Sequence, residues 1–254
     1  MCRHLAFLGE PEALGALLVE PAHSLFRQSW APRRQRHGTV NADGFGVGWY
    51  ADGDPVPARY RRDGPIWGDQ SFADLARVVR SGAVLAAVRD ATEAGADGEA
   101  AAAPFAAGPW LFSHNGAVSG WPDSLAAVAT TLPPADLLSL EARCDSALVW
   151  ALVLERLRRG DDAAQALGDV TVEVARAAPA SRLNLLLTDG ATIAATAWGD
   201  TLWYLAEPGR RTGRTVVASE PYDDDPSWRE VPDRTLLAAT RTDILLTPLK
   251  EPTA

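Results

Sequence analysis

Apolar and polar positions change register repeatedly along this chain, and the changes predict its elements. An apolar run over residues 3–8 predicts a strand, and Pro11 to Val19 a helix with Pro11 in its first turn. Residues 20–42 read as a long loop rich in arginine and proline. Gly44 to Tyr50 (GFGVGWY) predicts a glycine-dense strand that another backbone or a ligand can approach closely, with Arg59 to Arg62 extending a second strand. Phe72, Leu75, Val78 and Val79 share one face of a helix over Ser71 to Arg80, and residues 83–89 form an apolar strand ending in Arg89. The small, low-complexity stretch 93–108 (EAGADGEAAAAPFAAG) reads as a loop between two strands, placed to act as a lid. Trp110 to Ser113 predicts a strand running into His114-Asn115-Gly116. Helices follow over Asp123 to Thr131, over Asp145 to Arg159 with Gly160 as a stop, and on to about Ala178. The remainder reads as strands at 183–188, 192–198, 202–206, 215–218 and 243–247, with turns at Asp189-Gly190 and Asp223 to Pro226. No linker or solenoid repeat divides the chain, so the pattern predicts one domain over residues 1–254, an α+β layered sandwich of antiparallel sheets and packed helices.

Composition narrows the function. With 47% hydrophobic and 22% charged residues, a chain of 254 residues buries a sizeable core without metals or staples. A net charge of −9 disfavours a phosphate backbone, so no nucleic-acid partner is expected. Lys250, the only lysine, lies in a terminal tail, which argues against Schiff-base chemistry. Two cysteines, Cys2 and Cys144, build neither a disulfide framework nor a four-cysteine zinc site. No uncharged run approaches the ~20 residues needed to span a membrane, and Arg3, His4, Glu10 and Glu12 interrupt the apolar start as a signal peptide would not. The expected setting is a reducing cytoplasm without membrane contact; homo-oligomer formation is left open.

Five short segments carry candidate chemistry, each with a plainer reading. Removal of Met1 would make Cys2 the N-terminus, where an α-amino group of pKa ~7.7–8.0 can take the thiol proton; yet many chains carry a small residue there. Asn115 and Gly116 offer two donors to an oxyanion, although Asn-Gly is also the strongest short hairpin-turn signal. Arg89 can grip a carboxylate in a bidentate fork, or make a surface ion pair with Asp90 or Glu93. Asp145 can hold an ammonium, or cap the helix that follows it. Asn41-Ala42-Asp43-Gly44-Phe45-Gly46 does not have the dinucleotide-binding spacing, and no helix follows it. His4, His23, His37 and His114 show no metal-ligand spacing, and a metal on Cys2 would block its thiol, so neither metal nor cofactor is expected. Cys144 reads as a small buried hydrophobe, and Arg33, Arg34, Arg36 and His37 as a solvated basic loop.

Taken together and in order, Cys2, NADGFGVGWY (41–50), VRDAT (88–92), His114-Asn115-Gly116 and Cys144-Asp145-Ser146 resemble the class II glutamine amidotransferases, a family of N-terminal nucleophile hydrolases. The resemblance covers most of the chain, including Ala218-Ser219-Glu220-Pro221 and Trp228 to Pro232. It implies a four-layer αββα sandwich with two stacked, mainly antiparallel sheets. The opening MCRHLAFLG is similar to a narrower branch, the amidohydrolases of ergothioneine biosynthesis that remove the γ-glutamyl group from γ-glutamyl-hercynylcysteine sulfoxide. The resemblance implies that Cys2 attacks the γ-carbonyl to form a thioester. Asn115 and Gly116 would form the oxyanion hole, and Arg89, supported by Thr92, would bind the α-carboxylate. His114 and Asp145 would bind substrate too, Asp145 through the α-ammonium; water would release glutamate. The chain departs from the family pattern at Ala87, where a histidine is common, and ahead of the Asn-Gly strand, where only Pro104 and Phe105 remain of an Asn-x-His-Pro-Phe segment. Two alternatives stay open: a glutaminase subunit feeding ammonia to a separate synthase, and a catalytically silent binding module of the same fold. The substrate's trimethylammonium would suit an aromatic cage, with Trp30 or Trp67 as candidates among nine tryptophans.

Overall fold

A computed structural model of the chain describes residues 2–91, 98–207 and 213–250. Thr92 and the first part of the expected lid, to residue 97, lie outside the described residues. In chain order the elements are β1 (Arg3–Ala13), α1 (Leu14–Leu18), α2 (Leu25–Gln28), β2 (Phe45–Trp49), β3 (Ala58–Arg62), α3 (Gln70–Val78), β4 (Arg80–Val88), β5 (Phe105–Ala107), β6 (Trp110–Ala117), α4 (Ala126–Ala129) and α5 (Pro134–Leu138). They continue as α6 (Asp145–Arg158), α7 (Ala163–Ala177), β7 (Arg182–Thr188), β8 (Ile193–Ala197), β9 (Trp203–Ala206), β10 (Thr215–Ala218), β11 (Arg229–Glu230), β12 (Thr235–Ala239) and β13 (Ile244–Pro248).

Two antiparallel sheets carry these strands, one in the order β11-β9-β10-β1-β4-β2-β3 and the other β13-β12-β8-β7-β6-β5. Alternation along each strand separates three apolar layers. Leu5, Phe7, Val84 and Ala86 of the first sheet pack on Leu14, Leu17 and Leu18 of α1 and Phe72 and Ala76 of α3. Their neighbours Ala6, Leu8, Ala83 and Leu85 face Leu111, Leu186 and Ala195 of the second sheet. Phe112, Leu185 and Leu187 point the other way, into α6 and α7. The result is the four-layer αββα order.

The glycines of β2 have a clear packing reason. A Cβ on Gly46 would sit 2.3 Å from the Ala103 carbonyl oxygen, and one on Gly48 2.6 Å from the Leu111 side chain. The alanine-rich segment therefore lies against the glycine-rich strand at Gly46, and Gly48 leaves room for Leu111. That contact corrects the expectation of a loop over the described part of 93–108, residues 98–108: Ala101, Ala102 and Phe105 are buried, and β5 pairs with β6 as an edge strand.

Two further expectations are corrected. The helix start read at Pro11 is strand, because Glu12 and Ala13 remain paired with Ser81 and Arg80 beyond a bulge after Leu8. Pro11 falls within that bulge, where no ladder hydrogen bond needs its missing N–H, and α1 begins only at Leu14. The plainer alternative for Asn-Gly, a hairpin turn, does not hold either: Asn115 pairs with Asn184, Gly116 with Leu183 and Ala117 with Arg182, so β6 runs straight through. The long loop of 20–42 contains α2, capped by the Ser24 hydroxyl, which accepts from the Arg27 N–H at 3.3 Å.

Candidate active site

At one end of the sandwich the start of β1, the end of β4, the end of β6 and the first turn of α6 converge on a cavity of about 240 Å³. Cys2, Arg89, His114, Gly116 and Asp145 line it, together with Phe105, Trp121, Arg143, Cys144 and Ser146. The two stacked sheets thus bring together residues 2, 89 and 116, which no local spacing connects.

Cys2 is half-buried at the head of β1. Burial raises its thiol pKa; the positive chain terminus, a backbone hydrogen bond at Asp90 and the Arg89 charge oppose that shift without cancelling it. A thiol in this state needs a base to become a nucleophile. Burial likewise raises the Cys144 thiol to about 11. Cys144 sits at the N-cap of α6 as a half-buried wall residue, less enclosed than expected.

Arg89 is held by the segment just before β2. Its backbone N–H donates to the Gly44 carbonyl (2.8 Å), its own carbonyl accepts from the Asp43 N–H (2.9 Å), and its Nη1 donates to the Asp43 carbonyl (3.1 Å). Asp43 also accepts the Ala91 N–H at 2.8 Å. The Asn41-Ala42-Asp43-Gly44 stretch is therefore a clamp on Arg89. Buried Asn41 anchors the clamp, donating Nδ2 to the Gln28 carbonyl and to Gln35 Oε1, each at 3.0 Å, and Gln35 Oε1 also accepts from Arg3 Nε at 3.2 Å.

Asp145 is the first helical residue of α6, inside the helix rather than at its cap. Its carboxylate accepts the Val118 N–H (2.8 Å) and the Ser146 N–H (2.7 Å), which fixes both oxygens and leaves lone pairs facing the cavity for a cation. His114 lines the cavity with both ring nitrogens already engaged. Nε2 meets the Arg182 carbonyl at 2.9 Å, and because a carbonyl only accepts, this nitrogen carries the proton. Nδ1 lies 3.0 Å from Ser146 Oγ, which also reaches Asp145 Oδ1 at 3.2 Å. The imidazole thus acts on Asp145 through Ser146.

Asn115 stands between His114 and Gly116, which line the cavity, but is itself fully buried and not among the lining residues. Its Nδ2 is 3.3 Å from Ser219 Oγ, and that hydroxyl also accepts the His4 N–H at 3.0 Å. Asn115 Oδ1 has no partner among the described residues. Turning the amide over lets the Ser219 hydroxyl donate to Oδ1 and releases both Nδ2 hydrogens from Ser219. A Cβ on Gly116 would lie 1.9 Å from the Arg182 carbonyl oxygen, so only glycine lets β6 pass there.

Ser146, Ser219, Trp121 and Arg143 were not singled out as site residues from sequence. Ser146 and Ser219 stand inside the quoted Cys-Asp-Ser and Ala-Ser-Glu-Pro segments and Arg143 directly precedes the first, so position in or beside a motif was the available signal; Trp121 had none. Trp30 and Trp67, the candidates for an aromatic cage, instead face each other edge-on at 5.6 Å and do not line the cavity.

The chain belongs to the class II glutamine amidotransferases: the family model for these enzymes matches residues 16–211. It is 45% identical to the gamma-glutamyl-hercynylcysteine sulfoxide hydrolase of Mycolicibacterium smegmatis, over 98% of this chain and 100% of that one. The Mycobacterium tuberculosis protein of the same description is also 45% identical, over 98% and 97%. Among solved structures, the glutamine phosphoribosylpyrophosphate amidotransferase of B. subtilis superposes with a TM-score of 0.65 at 16% identity, covering 98% of this chain and 49% of that one. That likeness establishes the shared fold.

Proposed function

We propose that this protein is a hydrolase that cleaves the γ-glutamyl amide of γ-glutamyl-hercynylcysteine sulfoxide, giving glutamate and hercynylcysteine sulfoxide. The observation that carries this reading is the single cavity that gathers a thiol, a clamped guanidinium and a fixed carboxylate. A γ-glutamyl group presents one carbonyl, one carboxylate and one ammonium, and each finds its complement there. The substrate is the one in the names of the relatives that are 45% identical over nearly the whole chain.

In this mechanism Met1 is removed and residues 2–254 act as one catalytic unit. The freed α-amine takes the Cys2 thiol proton, and the sulfur attacks the γ-carbonyl. Asn115 Nδ2 and the Gly116 N–H hold the oxyanion. Arg89, assisted by Thr92, grips the α-carboxylate, while Asp145, steadied by His114 through Ser146, holds the α-ammonium. The C–N bond breaks as the Cys2 α-ammonium returns the proton to the leaving amine. Water, losing a proton to the Cys2 α-amine, then attacks the thioester; glutamate leaves and the departing thiolate takes that proton back. No cofactor takes part, and a reducing cytoplasm keeps Cys2 and Cys144 as thiols.

The test is glutamate release by the purified, Met1-processed chain alone, from the sulfoxide and from glutamine in parallel. Fast release from the sulfoxide and slow release from glutamine is the expected result. Glutamine turnover alone would indicate an ammonia-supplying subunit, and silence on both a binding module.

A further inference from the structure

The cavity holds more recognition chemistry than a γ-glutamyl group uses. Its lining carries the charged side chains Arg89, Asp145 and Arg143. The glutamyl α-carboxylate and α-ammonium occupy the first two under the reading above, on which this inference rests. Arg143 is a second cation on the same wall, exposed and two residues ahead of Asp145. Across the turn that follows β6, Trp121 is half-buried, packed on the helix-side core while also lining the cavity. It is the one tryptophan of nine that does so. Neither residue has a task in breaking the amide bond. If ammonia were the leaving group, neither would have anything to recognise.

We propose that Trp121 and Arg143 form a subsite for the departing amine, selecting one that carries a carboxylate and a quaternary ammonium. The guanidinium reads the carboxylate by charge-assisted hydrogen bonds. The indole face reads the trimethylammonium, which has no N–H to donate and is recognised by an aromatic quadrupole. A betaine-type amine offers both groups, and this subsite separates such amides from glutamine.

The test measures binding of γ-glutamyl amides to the full-length Cys2→Ala protein by calorimetry. One pair of amides differs by a carboxylate on the leaving amine, the other by exchange of a trimethylammonium for its neutral tert-butyl isostere. We expect the carboxylated amide to bind about tenfold tighter than its uncharged partner. That ratio should fall towards unity in Arg143→Gln and recover in part in Arg143→Lys. The trimethylammonium should be preferred about fivefold over tert-butyl, with the preference kept in Trp121→Phe and lost in Trp121→Leu. Ratios near unity in the starting protein, or ratios that survive Arg143→Gln and Trp121→Leu, overturn the subsite. Glutamate release from the same amides by the Cys2 protein judges the hydrolase reading separately. Release without ratios keeps the hydrolase and refutes the subsite; ratios without release do the reverse; no binding by any amide refutes both.

Discussion

The glutamyl half of the cavity and its leaving-amine half are built differently. In the first, three side chains are fixed by backbone groups distant in sequence: Arg89 by Asp43, Asp145 by Val118 and His114 by Arg182. In the second, Arg143 is exposed and Trp121 is held mainly by apolar packing. The fixed half suits bond breaking, where misplacement by about 1 Å costs on the order of a hundredfold in rate. The second half suits discrimination, where modest affinities decide between amines.

Substitutions break the fixed half in a graded way. Cys2→Ala should lower kcat for glutamate release by about four orders of magnitude or more, while the folded protein still binds substrate. Gly116→Ala should follow: the 1.9 Å approach to the Arg182 carbonyl forces the end of β6 aside, and we expect about a hundredfold loss or more in kcat together with a lower Tm. Asn115→Ala removes an oxyanion donor and should cost about a hundredfold in kcat with KM little changed, which steady-state kinetics will show. Asp145→Asn should instead act mainly on KM, raising it about tenfold, because the amide no longer neutralises the substrate ammonium.

The smallest effect concerns stability. His4 is buried between the sheets beside Ser113, and burial, with smaller contributions from the Arg3 and His114 charges, lowers its pKa to about 3. Its folded value lies below the unfolded ~6.5, so on acidification the unfolded chain gains a proton that the folded one refuses. Stability should therefore fall as the pH drops from about 6.5 towards 3, by about 2 kcal/mol at pH 5. Urea unfolding at about pH 7 and pH 5 should show this difference, and His4→Asn should shrink it.

The sequence made much of the fixed half legible, because its residues stand in short motifs with an obvious chemical purpose: Arg89 in VRDAT, Asp145 in Cys-Asp-Ser, Asn115 and Gly116 in His-Asn-Gly. Long elements were legible too; α6 and α7 run close to the lengths their periodicity implies. What failed had physical causes. The Asn-Gly pair signals a turn locally, but the pairing of β6 with β7 carries the strand through it. The alanines at 102 and 103 look featureless until the missing side chains of Gly44 and Gly46 give them a surface to fit. β12 (Thr235–Ala239) lacks the alternation of a half-exposed strand and exists because β8 and β13 pair on either side of it. Trp121 stands in no motif, and only the fold brings it to the cavity beside Arg143, which directly precedes Cys-Asp-Ser.

The central claim is a covalent glutamyl intermediate on Cys2. Acid quench of the Met1-processed enzyme during turnover of γ-glutamyl-hercynylcysteine sulfoxide, followed by peptide mass spectrometry, tests it directly. The account predicts a glutamyl thioester on the N-terminal cysteine that disappears on hydroxylamine treatment and is absent from Cys2→Ala. Glutamate release by Cys2→Ala at the rate of the unaltered enzyme, or an adduct on Cys144 instead, would contradict it.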